Sequence, residues 1–139
     1  MTETTTSSSS QQPYVWGTGR RKTSVARVRI KSGTGQFSVN GREVGKFFTT
    51  DATLRAATLA LTVTESAKNY DIAVRVGGGG ITGQAGAVSL GVARALKRDN
   101  PNFDPLLREY QLLTRDSRKI ERKKYGLRKA RRATQFSKR

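Results

Sequence analysis

The chain has no cysteine and no histidine. The first absence excludes disulfides and thiolate zinc sites. The second removes the commonest general base and the commonest neutral metal ligand. No run of about 18 apolar residues is present, so the sequence offers no transmembrane helix. Acids are scarce as well: ten Asp and Glu stand against 27 Lys and Arg, giving a formal net charge of +17 over 139 residues. From Asp51 to Glu121 the acids are scattered, and none forms a close pair set for metal-dependent phosphoryl transfer. The chain therefore reads as a non-enzyme with no cofactor and no metal. The opening MTETTTSSSSQQP has no apolar run, and no basic residue precedes Arg20. Neither a secretory signal nor an Arg-rich transit peptide is expected there.

What is present in excess is positive charge, and it is unevenly placed. From Arg115 to Arg139 there are twelve Lys/Arg and two acids, a net of 12 − 2 = +10. Residues 1–114 supply the remaining 15 − 8 = +7. The bulky apolar residues of this end are only Ile120, Tyr125, Leu127 and Phe136. That is too little apolar surface to offset the entropy of ordering the segment. A segment that repels itself and cannot pack on itself needs a polyanion to become ordered, and RNA or DNA is the expected partner. Tyr125 and Phe136 interleave with the cations, which suits base stacking on RNA. No basic helix with a bulky apolar face is visible, which counts against a membrane surface. The expected organisation is a disordered polar lead at 1–12, a globular domain at 13–114 and an extended basic tail at 115–139.

Within the globular part, residues 14–31 read as strand, with Ala26, Val28 and Ile30 alternating against Arg27 and Arg29. A turn at 32–35 leads to a second alternating run with Phe37 and Val39 inward, and Asn40-Gly41 signals a tight turn. A helix capped by Asp51 is expected to about Leu61, with Leu54, Ala57, Thr58 and Leu61 on one face. The cleanest strand holds Tyr70, Ile72, Val74 and Val76 on one side and ends at four glycines, Gly77–Gly80. A helix from about Gly83 to Lys97 follows, with Ala85, Val88, Val92, Ala95 and Leu96 as its apolar stripe. Asn100-Pro101 stops it, and Asp104-Pro105 starts a further helix with Leu106, Tyr110 and Leu113 as its face.

Three motifs carry candidate chemistry. Gly78-Gly79-Gly80-Ile81-Thr82-Gly83 satisfies G-x-G-x-x-G after a strand and before a helix, with Asp99 further on. However, Asp99 falls at a helix end and no second buried parallel strand follows, so a dinucleotide site is not supported. The run reads either as a turn needing positive φ or as a place where backbone approaches a phosphate chain beside a helix N-terminus. Gly83, Ala87 and Gly91 form a line of small residues, continued by Arg94 and Arg98. They let either a sheet or an RNA backbone lie close to the helix. Gly17-Thr18-Gly19 precedes Arg20, Arg21 and Lys22, a candidate phosphate contact ahead of the first strand.

Three stretches of this sequence resemble the small-subunit ribosomal protein nine family, bacterial and plastid type. They are WGTGRRKTSVARV at Trp16–Val28, GGGGITGQAGAVSLGVARAL at Gly77–Leu96, and LLTRDSRKIERKKYGLRKARRATQFSKR at Leu112–Arg139. The resemblance spans residues 14–139. It implies an α+β fold: a mixed four-stranded sheet with helices mainly on one face, like the second domain of ribosomal protein five. It implies a structural constituent of the small ribosomal subunit, bound to the 3′ major domain of 16S ribosomal RNA beside neighbouring head proteins. It points to ribosomal RNA contacts from Arg20, Arg21, Lys22, Gly78, Gly79, Gly80, Gln84 and Arg94. In the tail it adds Arg118, Lys119, Arg122, Lys123, Lys124, Tyr125, Arg128, Lys129, Arg131 and Arg132. Lys138 and Arg139 are implied to reach the anticodon stem-loop of transfer RNA in the P site. The expected location is the ribosome of a cytoplasm or a plastid stroma. The alternative is a free RNA-binding module or RNA chaperone that uses the basic tail alone.

Overall fold

The computed structural model describes residues 14–133 and 135. The expected disordered lead at 1–12 lies outside them. The first two strands, β1 (Val15–Arg21) and β2 (Ser24–Ser32), form an antiparallel hairpin with Arg21 opposite Ser24. Alternation alone runs residues 14–31 together as one stretch of strand. The turn went unseen because its residues, Lys22-Thr23, lack the usual Gly or Asn. Lys22 nevertheless adopts a left-handed φ of 53°. The second turn, Asn40-Gly41, has φ of 52° and 80° and joins β3 (Phe37–Val39) to a two-residue β4 (Arg42–Glu43), as its sequence signals.

A short α1 (Val44–Phe47) and α2 (Asp51–Thr64) lead to β5 (Tyr70–Gly77). Thr50, not Asp51, sits at the N-cap of α2, and Asp51 is its first helical residue, where a negative charge complements the helix dipole. Next come α3 (Ile81–Asp99), a 3₁₀ turn at Pro101–Phe103, and α4 (Asp104–Glu109). The sheet is mixed, in the order β1-β2-β5-β3-β4, with β5 antiparallel to β2 and parallel to β3. It has five strands rather than four, because the β3–β4 hairpin adds a two-residue edge strand. Asn40 extends the pairing beyond the hairpin: its side-chain amide donates to the Val76 carbonyl at 2.9 Å and accepts from the Val76 N–H at 3.0 Å.

Alternation in β2 and β5 gives the sheet two different faces. Ala26, Val28, Ile30, Ile72, Val74 and Val76 are buried beneath the helices. All five expected stripe residues of α3 join that core, as do Ala57 and Leu61 of α2. The face expected for α4 is corrected: Leu106 and Tyr110 point to solvent, and Leu107 and Leu112 are buried instead. The cause is length. Only six residues are helical, and Gln111 turns the chain at a φ of 57°, so helical periodicity fails before Leu113.

The small-residue line on α3 resolves to one of its two readings. Gly83, Ala87 and Gly91 are buried. A Cβ placed on Gly19 of β1 would stand 1.8 Å from the Ala87 carbonyl oxygen and 2.4 Å from the Gly91 nitrogen. One placed on Gly17 would stand 2.3 Å from the Gly91 oxygen. Helix backbone thus rests on strand backbone, with glycines on both sides of the contact. The line serves the sheet, and the two glycines before Arg20 belong to the core.

Candidate nucleic-acid interface

The glycine run sits where β5 turns into α3. Gly78 and Gly79 have φ of 78° and 64°, the left-handed region that side chains with a Cβ rarely adopt. They are also hemmed in, since a Cβ on Gly78 would lie 2.6 Å from the Thr23 carbonyl oxygen. The buried Ser24 hydroxyl latches the run to the first hairpin by donating to the Gly78 carbonyl at 2.8 Å. The Gln84 side-chain amide donates to the same oxygen at 3.3 Å. Gly77 and Gly80, by contrast, have open space where a Cβ would stand. No side chain caps α3 at Gly80. The dinucleotide reading fails on topology, because among the described residues no strand follows α3, and Asp99 accepts a hydrogen bond from the Tyr70 hydroxyl at 2.6 Å. Burial, reinforced by the Asp99 carboxylate, pushes the Tyr70 hydroxyl up to about 12. Among the described residues no His/Cys/Asp/Glu cluster could hold a metal ion, and no helix is long and apolar enough to cross a membrane.

The Ser24 latch gives a first expected result. Ser24→Ala removes a buried hydrogen bond worth about 0.5–1.5 kcal/mol net, lowering Tm by roughly 2–12 °C in a body of this size. Thermal unfolding followed by circular dichroism checks it. An unchanged Tm means that the latch holds nothing.

The cations expected to meet RNA divide by their surroundings. Arg20 lies beside the first hairpin turn and Lys22 within it, and both are exposed. Arg21 is spoken for: its side chain lies across Gly86, where a Cβ would stand 2.3 Å from its Cδ, and its Nη2 is 3.6 Å from Asp116. Asp116 is shared with Arg118, whose Nη2 donates to it at 2.7 Å and whose backbone N–H donates at 3.0 Å. These bonds hold the Asp116 carboxyl well below the usual carboxylate range. The start of the basic segment is thereby clipped to the end of β1. Arg94 also has an internal partner. Its Nη1 donates to the Thr18 carbonyl at 2.7 Å, and Arg98 does the same for Trp16 at 3.0 Å. Both cap the outer edge of β1 and leave other N–H groups free.

Beyond Arg118 no helix or multi-residue strand forms among the described residues. The ordered feature is a bridge between Leu127 and Ala133, with Arg128 donating its N–H to the Arg132 carbonyl at 2.9 Å. Glu121 pairs with Lys124 and, at 2.9 Å, with Arg131. Lys119, Arg122, Lys123, Arg128, Lys129 and Arg132 have no carboxylate partner among the described residues, and Tyr125 is fully exposed. Exposed pairs such as those of Glu121 contribute little and yield readily to phosphate. Lys138 and Arg139 lie outside the described residues.

Two features escaped the sequence reading. Asp71 on β5 accepts N–H bonds from Thr34, Gly35 and Gln36 at 3.0–3.1 Å and so fixes the β2–β3 turn. The bond from Gln36, aided by those from Thr34 and Gly35, lowers its pKa. The other is the uncovered face of the sheet, where Trp16, Arg27, Arg29 and Arg75 stand together. Alternation marks Arg27, Arg29 and Arg75 as outward, but only the pairing register shows them as neighbours.

Comparison with known proteins accounts for this combination of a glycine-hinged α+β body and a basic end. Residues 19–139 match the family described as ribosomal protein S9/S16. The small ribosomal subunit protein uS9 of Thermotoga neapolitana is 53% identical over 127 residues, covering 89% of this chain and 95% of that protein. Its counterpart in Thermotoga maritima is 52% identical over 127 residues, with the same coverage. The uS9 of Mesomycoplasma hyopneumoniae is 51% identical over 124 residues, covering 89% of this chain and 94% of that protein. The family match extends from residue 19, in the first hairpin, through the basic end, and the chain belongs to the ribosomal protein S9/S16 family, whose members are structural proteins of the ribosome and not enzymes.

Proposed function

We propose that this chain is a structural constituent of the small ribosomal subunit that binds 16S ribosomal RNA in the subunit head and extends its C-terminal end toward transfer RNA in the P site. The observation that carries the reading is that one family match, residues 19–139, takes in both the body and the basic segment. The cations between Lys119 and Arg132 that have no carboxylate partner among the described residues, with Tyr125 exposed among them, supply phosphate contacts and a stacking surface. Arg20, Lys22, Arg94 and the open backbone at Gly80 extend that surface onto the body, and Gln84 and Arg21 position it. Arg118 and Arg21 serve chiefly to hold the root of the tail through Asp116. Lys138 and Arg139 are assigned to transfer RNA, where an arginine grips a phosphate through two parallel hydrogen bonds.

The test separates the two RNA partners. The full chain should co-sediment with small subunits and remain after a moderate salt wash. Removing residues 137–139 should leave assembly intact but weaken P-site transfer RNA binding by on the order of tenfold, as one or two charge-assisted hydrogen bonds are lost. Filter binding of transfer RNA to subunits carrying each form measures this. Failed assembly with unchanged transfer RNA affinity would reverse the assignment. A chain that binds RNA but never enters subunits would instead be a free RNA-binding module.

A further inference from the structure

The uncovered face of the sheet carries a cluster of three arginines with no carboxylate partner among the described residues. In the pairing of β2 with β5, Arg27 stands directly opposite Arg75, and in the hairpin Arg29 stands opposite Trp16. Like charges placed directly across a ladder destabilise a sheet. No carboxylate among the described residues lies within salt-bridge distance of Arg27, Arg29 or Arg75. The acids of this face, Asp71 and Glu43, stand toward its other end, outside the arginine cleft, and Asp71 is occupied by the amides of 34–36. The three arginines and Trp16 line a cleft of about 680 Å³ that contains no acid. Trp16 is 51% exposed. Arg29 lies 4.9 Å from the centre of the Tyr14 ring, so the face pairs cations with aromatics at its rim also.

A protein partner would require a desolvated apolar centre, and this face offers Trp16 and Ala73 with three guanidinium groups between and around them. A polyanion with flat, apolar-faced units satisfies both features at once. We propose that the open face of the sheet is an RNA-binding surface separate from the basic tail. It holds a single-stranded or bulged segment with one unpaired base stacked on Trp16 and the flanking phosphates on Arg27, Arg29 and Arg75. A-form duplex does not suffice, because its bases are stacked inside the helix and unavailable to the indole. The inference rests on the ribosomal RNA reading above and adds a second surface to it.

Trp16 is the sole tryptophan of the chain, so its emission reports on this face alone. The full chain is titrated with small-subunit ribosomal RNA transcribed in vitro, with binding followed independently by sedimentation. Binding should quench Trp16 emission by at least half. In Arg27→Gln/Arg75→Gln the quench should be lost and affinity should fall several-fold. Its Tm should hold or rise, because a like-charge pair has been removed. Trp16→Phe, which keeps a stacking ring, should retain affinity that Trp16→Ala loses. Sedimentation of a stable complex with Trp16 emission unmoved overturns the proposal while leaving the ribosomal RNA reading intact. Quenching only after other small-subunit proteins are added assigns the face to a protein and also overturns it. Absence of any RNA complex defeats the underlying reading instead.

Discussion

Gly19→Ala should lower Tm by on the order of 15 °C or more, the largest effect expected from any single methyl group in this fold. The new Cβ would begin 1.8 Å from the Ala87 oxygen, whereas ordinary contact starts at 3.4 Å. Both partners are main chain, β1 below and α3 above, so no side chain can rotate away. The helix must lift, and lifting it opens space under Val88, Val92 and Leu96, which are now fully buried. Overpacking alone costs about 1–3 kcal/mol, and the cavity beneath the lifted helix adds to it. Gly77→Ala provides the control: nothing lies within 4 Å of its Cβ position, so its Tm should stay within a few degrees of the parent. Thermal unfolding of the two variants measures the difference. Equal melting temperatures would mean that the helix does not rest on the strand.

Removing residues 115–139 should have the opposite profile, sparing the fold and stripping away RNA affinity. The core residues all lie at or before Leu112, so Tm should change little beyond the loss of the Arg21–Asp116 contact. The deletion removes +10 of the +17 net charge. Each neutralised phosphate contributes roughly −0.7 to −0.9 to the slope of log affinity against log salt, so the slope should fall by about half. Affinity for small-subunit ribosomal RNA should drop by orders of magnitude at low salt. Filter binding across a salt series reads both quantities. A slope that survives the deletion would move the binding charge to the body, above all to Arg27, Arg29 and Arg75.

The parts of this molecule legible in sequence were those governed by local pattern. The stripe of α3 was read residue by residue because helical periodicity and burial coincide over 19 residues. The Asn40-Gly41 turn was legible because its residue types admit positive φ. The Lys22-Thr23 turn was not, since a lysine at φ 53° is held there by ladder hydrogen bonds on either side rather than by its own preference. The small residues of α3 and the glycines of β1 were each visible, but not as two halves of one contact. They lie some 70 positions apart, and only the sheet order brings them together. The same limit applied to the site. Charge in the tail is contiguous in sequence and was seen at once. Charge on the sheet face is assembled from β2 and β5 across the ladder, and it emerges only with the register.

The close seat of α3 on β1 also bears on how the chain is born. The first strand made is an edge strand whose inner surface is covered by the last long helix made, and whose outer carbonyls at Trp16 and Thr18 are capped by Arg98 and Arg94. None of this is in place until synthesis has passed Asp99, the end of α3. At about 5–20 residues per second, the opening hairpin therefore waits several seconds with an unguarded edge and a bare pair of glycines. A nascent chain in that interval is vulnerable to strand pairing with its neighbours on a polysome. Pausing of synthesis before residue 99 should then raise the insoluble fraction.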